Sequence, residues 1–336
     1  MPKRSAGMRD VARRAEVSLS TVSRVLRGAP GVAPEVRERV RAAADELSYA
    51  VSRNASGLVT GRTCRVAVVV PSLRPWFFGA VASGLGHALH AAGLDMLVHQ
   101  ADGAEDWTRD LPLPHNSDAL VAVALQVTEE QYAHLGDLAG PVVLAGEELP
   151  GRASVFIDDR AGTAGATHHL LNLGHTRIAY IGTHTEHGPS RSSAARMAGY
   201  HDAMAEAGAE PWTVSKPPGP DGGELAVGEL LSHQSPPTAV LAESDDVALG
   251  AYRALRRSGV RVPEAISLMG FDDHDASAAL DLTTVDQAPE ALGAAAGQLA
   301  ADLVHGRRPS DTRIELPVQI VPRQSTAAPQ ERRTSP

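Results

Sequence analysis

Cysteine is nearly absent: Cys64 is the only one in 336 residues. That excludes an intramolecular disulfide framework and any metal site built from cysteines alone. Lysine is almost as scarce, occurring at Lys3 and Lys216, so the basic set is nearly all arginine. Aromatic residues make up 4%. No apolar run approaches the roughly 18 residues that a membrane-spanning helix needs. The first ten residues, MPKRSAGMRD, hold no apolar core of a secretory signal, and the expectation is a cytoplasmic protein. Catalytic fingerprints are missing too: there is no GxSxG, no P-loop and no GxGxxG after a strand. His168-His169, His184 with His187, and His274 beside Asp272, Asp273 and Asp275 lack a ligand spacing with a paired second set. No catalytic residue, cofactor or metal is therefore expected. What is present is ordinary for a soluble globular chain, 43% hydrophobic and 21% charged, long enough for two or three domains.

The net charge of −9 conceals an asymmetry. Residues 1–62 carry 12 Lys+Arg against 6 Asp+Glu, a net of +6, whereas residues 63–336 carry 19 against 34, a net of −15. A basic head on an acidic body suits a nucleic-acid-binding module joined to a body that binds something else. A solvated basic surface would give the same balance, so the residue order must decide.

In the head, Met8, Val11, Ala12 and Ala15 recur at i, i+3, i+4 and i+7, the stripe of a short helix. Ser18 is placed to cap a second helix from Leu19, with Val22, Val25 and Leu26 on its apolar face and Gly28 as its stop. Pro34 suits the first turn of a third helix, whose stripe is Val36, Val40, Ala43, Ala44 and Leu47. Two short helices around a tight turn, crossed by a third, form a helix-turn-helix, and the second helix would enter the major groove of DNA.

The string Val17-Ser18-Leu19-Ser20-Thr21-Val22-Ser23-Arg24-Val25-Leu26, after Asp10-Val11-Ala12, resembles the DNA-binding head of the LacI/GalR family of bacterial transcription regulators. The resemblance implies that Leu19 and Ser20 face bases, and that Thr21, Ser23 and Arg24 contact phosphates and nearby bases, with Ser18 at the helix entry. Phosphate contacts would position the head and base-edge contacts would specify the site. Leu19 has no hydrogen-bonding group and would offer apolar contact only. Residues 50–63 resemble the family hinge, whose leucine wedges into the minor groove at the operator centre. Leu58 matches that leucine, with Ala55 before it. Val51, Ser52 and Ser56 depart from the Pro, Asn and Arg common there, and Gly57 lowers helix propensity by up to about 1 kcal/mol relative to Ala.

Beyond residue 64 apolar runs alternate with helical patterns. Val66-Ala67-Val68-Val69-Val70 is a continuous apolar run, β-branched at all but Ala67, of the kind buried on both faces of a parallel sheet. Further strands are expected at 96–99, 119–124, 142–145, 155–157, 178–181, 239–242 and 266–269. Helices are expected after Phe78 and near 160–173, 191–207, 223–233, 245–258 and 289–305. Alternation of this kind gives a doubly wound α/β fold, with too many units for one sheet.

The body resembles the two-lobed, periplasmic-binding-protein-like core of the same family. The expectation is an all-α head (1–49), a hinge (50–63) and two doubly wound parallel-sheet lobes (64–326). Lobe 1 would comprise about 64–158 and 288–316, lobe 2 about 159–285 and 317–326, with crossings near 158–162, 285–288 and 316–319. The tail, Gln324 to Pro336, is rich in Ser, Thr, Pro and Arg and is expected to be disordered, with the body ending at 326 and the tail proper at 327–336.

Family strings recur in order: Leu173-Gly174-His175, Arg196-Met197-Ala198-Gly199-Tyr200, Ser244-Asp245-Asp246, Gly270-Phe271-Asp272-Asp273 and Thr284-Val285-Asp286-Gln287. The resemblance puts Arg196, Ser244, Asp272 and Gln287 on effector-contacting positions. Glu148 falls on another, more loosely, and Trp76 and Phe77 in the pocket loop after the first strand. Carboxylates and an arginine grip hydroxyls through charge-assisted bonds, and a ring can cover the apolar face of a sugar.

Ser244 departs from a common Asn. Residues 100–118, with Pro112 and Pro114, are short for a full helix and could weaken or open the edge of lobe 1. The implied protein is a homodimeric regulator, a repressor, binding a pseudo-palindromic double-stranded DNA operator under control of a carbohydrate-like effector, with no membrane partner. A solute-binding module without DNA binding, or an enzyme acting on sugars or nucleosides, would use the same body but leave the head unexplained.

Overall fold

The computed structural model describes residues 6–26, 29–47, 49, 62–101, 107–108, 111–113, 116–185 and 188–330. Hinge residues Ala55 and Leu58 lie outside that set, as do Gly28 and Pro114. The chain divides into two compact units, Met1–Cys64 and Arg65–Pro336.

The first unit contains α1 (Met8–Arg14), α2 (Leu19–Leu26) and α3 (Pro34–Glu46). Its core is the set of stripes read from the sequence: Val11, Ala12, Ala15, Val22, Val25, Val40, Ala43 and Ala44 are all buried. Pro34 occupies the first turn of α3, where its missing N–H has no helical partner to lose.

The second unit is the expected pair of lobes. Lobe 1 is a six-stranded sheet ordered β11-β5-β4-β3-β1-β2, built from β1 (Arg65–Val70), β2 (Asp95–Gln100), β3 (Ala119–Val123), β4 (Val142–Ala145), β5 (Ser154–Ile157) and β11 (Arg313–Leu316). Every pairing in it is parallel. Helices α4 (Trp76–Ala91), α5 (Glu129–Ala139) and α11 (Pro289–Val304) belong to this lobe. Val66, Ala67, Val68 and Val69 are 0% exposed, and burial of each valine contributes about 1.5–3 kcal/mol.

Lobe 2 is a parallel sheet ordered β7-β6-β8-β9, from β6 (Ile178–Thr183), β7 (Trp212–Lys216), β8 (Ala239–Ala242) and β9 (Ser267–Met269). It carries α6 (Asp159–Asn172), α7 (Arg191–Glu206), α8 (Pro220–Ser232), α9 (Asp245–Arg257) and the short α10 (Asp275–Ala279). Gly199 lets α6 and α7 pack closely, since a Cβ there would sit 2.1 Å from the Arg160 carbonyl oxygen.

The chain passes between lobes three times: after β5, after β10 (Thr284–Asp286), and between β11 and β12 (Gln319–Val321), which pairs antiparallel with β10.

Some features were unexpected. Helix α5 and strands β7, β10, β11 and β12 were not anticipated. Where the 100–118 segment is described it packs on lobe 1: Ala101 and Leu113 are buried in that lobe's core and Trp107 packs on it, while residues 102–106, 109–110 and 114–115 lie outside the described set. The chain also remains held at 324–327. Ser325, 4% exposed, accepts from the Thr283 N–H at 2.7 Å and donates to the Leu268 carbonyl at 2.6 Å. The Ala327 N–H donates to Ser267 Oγ at 3.0 Å. The expected disorder from Gln324 is therefore corrected at 324–327, where these bonds attach the chain to the edge of β9; residues 331–336 of the expected tail lie outside the described set.

Candidate functional site

In the head, Ser18 caps α2 as expected. Its Oγ accepts from the Thr21 N–H at 3.1 Å and lies 2.8 Å from the hydroxyls of both Ser20 and Thr21. The cap fixes the first turn of α2 and gathers three hydroxyls there. Leu19 is 44% exposed on the same turn, although it is a large apolar side chain. Arg24 Nη2 donates to the Pro30 carbonyl at 2.9 Å, which ties it to the turn leading into α3. One face of α2 thus presents Leu19, Ser20, Thr21, Ser23 and Arg24, while Val22 and Val25 hold the other face in the core.

In the body, Arg196 is the centre of a buried polar cluster where the lobes meet. It projects from α7 and is 9% exposed. Its Nε donates to Asp159 Oδ1 at 2.7 Å and its Nη1 donates to the Glu243 carbonyl at 2.8 Å. Nη1 also lies 3.6 Å from Asp272 Oδ1, and the guanidinium sits 3.8 Å over the centre of the Phe271 ring. Burial works against its charge, but Asp159, Asp272 and Glu243 prevail and hold its pKa above the usual arginine value.

Asp272 is 7% exposed, and Gln287 Nε2 donates to its Oδ1. Burial raises its pKa well above the usual carboxylate value, against the pull of Arg196 and with a push from Asp245. Its φ of 128°, followed by 56° at Asp273, is strained for non-glycine residues. The surroundings hold that geometry: the Asp272 N–H bonds the Val285 carbonyl at 2.8 Å, and Asp273 Oδ1 accepts from Arg323 Nη2 at 2.6 Å.

Arg196, Asp272 and Gln287, three of the expected effector-contacting residues, are therefore brought together. The others are not. Ser244 uses its hydroxyl to cap α9, accepting from the Val247 N–H at 3.4 Å. Glu148 is ion-paired with Arg313 and lines a cavity of about 320 Å³ that it shares with Asp159. Phe77 packs edge-on to Phe78 at 5.3 Å. Trp76 lines a larger cavity of about 770 Å³ with Arg74, Asp275 and Pro289. Its Nε1 donates across the lobes to Asp275 Oδ2 at 3.1 Å, and its ring lies 4.9 Å from that of His274.

Besides Asp159, which pairs with Arg196, sequence reasoning missed two further carboxylates. Asp245, 0% exposed, accepts from Thr284 Oγ1 at 2.7 Å, Ser277 Oγ at 2.6 Å and the His274 N–H at 2.8 Å. A Cβ on Gly270 would lie 1.9 Å from its Oδ1, so glycine is needed there. Glu243 accepts from the Thr183 N–H at 2.6 Å and from Ser193 Oγ at 2.6 Å. Asp245 stood inside a quoted string, but nothing in the spacing revealed that it organises the loop bearing Asp272. Among the described residues no group of three or more His, Cys, Asp or Glu could hold a metal ion, and His274 Nδ1 accepts from the Ala276 N–H in capping α10.

Comparison with known proteins adds a second line. Residues 7–52 match the family described as bacterial regulatory proteins, lacI family, and residues 167–326 match a periplasmic binding protein-like domain. The chain is 34% identical over 335 residues to the HTH-type transcriptional regulator GalR of Escherichia coli (strain K12), covering 96% of each chain. It is 30% identical over 329 residues to catabolite control protein A of Priestia megaterium, covering 94% of this chain and 98% of that protein. Its structure is similar to that of the lac repressor dimer bound to operator and the anti-inducer ONPF, with a TM-score of 0.85, 27% identity, and coverage of 97% of this chain and 100% of that one. It is also similar to the transcriptional regulator CelR in complex with cellobiose, with a TM-score of 0.69, 30% identity, and coverage of 95% and 99%. These relatives are named as regulators and not as enzymes.

Proposed function

The chain belongs to the lacI family of bacterial regulatory proteins, and from that premise we propose that it is a cytoplasmic homodimeric repressor whose operator affinity is set by a sugar-like molecule between its lobes. The observation that carries this reading is the pairing of an exposed, hydroxyl-rich first turn on α2 with a buried Arg196–Asp159–Asp272 cluster at the lobe junction. In this reading Leu19 and Ser20 meet base edges, while Ser18, Thr21, Ser23 and Arg24 meet phosphates and nearby bases. Two heads of a dimer read the halves of a pseudo-palindrome. Ala55 and Leu58 act at its centre.

Arg196, Asp272 and Gln287 form the polar floor of the effector site, and Trp76 stands at its rim. Hydroxyl groups suit that floor, because a hydroxyl can donate to the Asp272 carboxyl group and accept from the Arg196 guanidinium. An effector that prefers one lobe arrangement shifts DNA affinity, and DNA shifts effector affinity by the same factor. The fit to an operator-bound lac repressor dimer and to a cellobiose-bound regulator supports both halves of this reading.

The test is capture of sheared genomic DNA on the full chain at moderate salt, followed by sequencing. The expected result is a small set of palindromes of roughly 14–20 base pairs, in keeping with two half-sites about one to two helical turns across. Broad, salt-labile retention without a shared palindrome would overturn the specific-regulator reading.

A further inference from the structure

The smaller of the two cavities, about 320 Å³, spans the lobe junction. Glu147, Glu148, Phe156 and Arg313 line it from lobe 1, and Asp159 and Arg191 from lobe 2. Arg191 reaches across to donate from Nη1 to the Glu148 carbonyl at 3.3 Å. Asp159 is shared with the Arg196 cluster, so the cavity continues the floor described above. Most of its carboxylates have partners: Glu148 pairs with Arg313, Asp159 with Arg196, and Asp158 accepts from the Ala161 N–H at 2.8 Å in capping α6.

Glu147 does not. It is 6% exposed, and its Oε1 is buried without a hydrogen-bond partner among the described residues. A buried polar atom left unpaired is destabilising, more so if charged. No fold requirement accounts for that cost: the residue follows β4 in a loop, and its neighbour Glu148 already makes the ion pair there.

We propose that Glu147 is a specificity-determining residue of the effector cleft, accepting a hydrogen bond from a hydroxyl of a neutral sugar held between it and Arg191. This assignment rests on the reading of the cleft as the effector site. It also moves the ligand-facing role from Glu148, where the resemblance placed it, to the adjacent residue. A hydroxyl donates to the carboxylate and accepts from a guanidinium, so neighbouring hydroxyls satisfy both sides without adding net charge. A carboxylate on the ligand would face Glu147, Asp158 and Asp159 together.

Electrostatics agrees with the geometry. Burial pushes the Glu147 carboxyl up from its ordinary 4.5 to about 7, with Arg191 pulling it down and Asp159 pushing it up. The folded-state pKa is raised, so its favourable contribution to stability is present at acid pH and is lost as pH rises from 4.5 through about 7.

Calorimetric titration of the full chain with glucose, galactose, ribose and cellobiose, with glucosamine and glucuronate as charged controls, tests the proposal. The wild type is expected to bind at least one neutral sugar. Glu147→Gln is expected to bind it at least about tenfold more weakly, as loss of a charge-assisted bond implies. The ligand-free variant should also melt no lower than wild type at pH 8. Equal affinity of wild type and variant would overturn the role of Glu147 while leaving the sugar-effector reading intact. Binding of none of the neutral sugars would overturn the sugar-effector reading itself. Tighter binding of glucosamine or glucuronate than of glucose would overturn the neutral-ligand assignment. A variant that fails to fold or melts lower would make Glu147 structural and overturn the proposal as well.

Discussion

The head and the body keep their functional residues in opposite ways. On α2 they are consecutive and turned outward: Leu19 is 44% exposed, and its neighbours bond one another or the turn beside them. In the body they come from α6, α7, the loop after β9 and the segment after β10, and they are buried together. A surface that meets a polyanion needs reach and little internal strain. A pocket that senses a small molecule needs groups held by one another, so that occupancy alters the whole set. Truncation in the head should therefore change binding and leave the fold intact, whereas truncation in the body should change both.

The largest test of that contrast is Arg196→Ala. It would leave Asp159 and Asp272 buried without their shared cation, and removing one partner of a buried pair costs about 3–5 kcal/mol. The expected outcome is a body that unfolds at markedly lower denaturant and no longer responds to effector. If the variant keeps both the midpoint and the response, the cluster is not the centre of the site. Chemical denaturation and an effector titration of operator binding read the two effects separately.

Arg24→Ala should do the reverse. The Pro30 carbonyl that accepts from it is at an exposed turn, where one bond to water replaces another, so stability should change little. Loss of one phosphate contact should weaken binding to all sequences alike and lower the slope of log K against log salt by about 0.9. Operator affinity measured across a salt series shows this directly. An unchanged slope combined with relaxed sequence preference would make Arg24 a base reader.

The same contrast explains what the sequence disclosed. In the head, local pattern and function coincide: the apolar stripe that packs α2 also fixes which residues face out, so one ten-residue string carried both. In the body, β1, β4 and β8 were legible because a strand buried on both faces reads as a continuous apolar run. Strands β11 and β12 hold only exposed and half-buried residues over four and three positions, too short for a period to show. Helix α5 was overlooked although Thr128 and Gln131 form a capping box at its start. The site was legible only where a side chain's role followed from its type. Arg196, Asp272 and Gln287 do come together in the fold. Glu243 did not reveal itself, because a glutamate joining Thr183 to Ser193 depends on residues 60 and 50 positions away.

Ser18→Ala isolates the head at a smaller scale. Loss of an N-cap costs about 1 kcal/mol, and here it also releases the hydroxyls of Ser20 and Thr21 from a shared partner. The expected outcome is a modest fall in the melting temperature of the head and a weaker operator complex, with the body's effector affinity unchanged. Hydrogen exchange at the Thr21 and Val22 amides should rise before any other signal in the head does.

The smallest expected effect belongs to Trp76→Phe, and it bears most finely on the contrast. The indole N–H gives one bond from lobe 1 to Asp275 in lobe 2, and its ring lies beside His274. Phenylalanine keeps an aromatic surface and removes only the donor, a net loss of about 0.5–1.5 kcal/mol. A bond between the lobes stabilises only the arrangement in which both ends meet, so its loss should appear as a shift in effector affinity of several-fold and little change in melting temperature. Operator affinity without effector should move in the opposite sense if the arrangement seen here is the DNA-binding one. If both affinities move together, the bond supports the fold of lobe 1 and does not distinguish lobe arrangements. The outward-facing design of the head would then have a counterpart on the rim of the cleft, and the body's sensing would be confined to the buried cluster around Arg196.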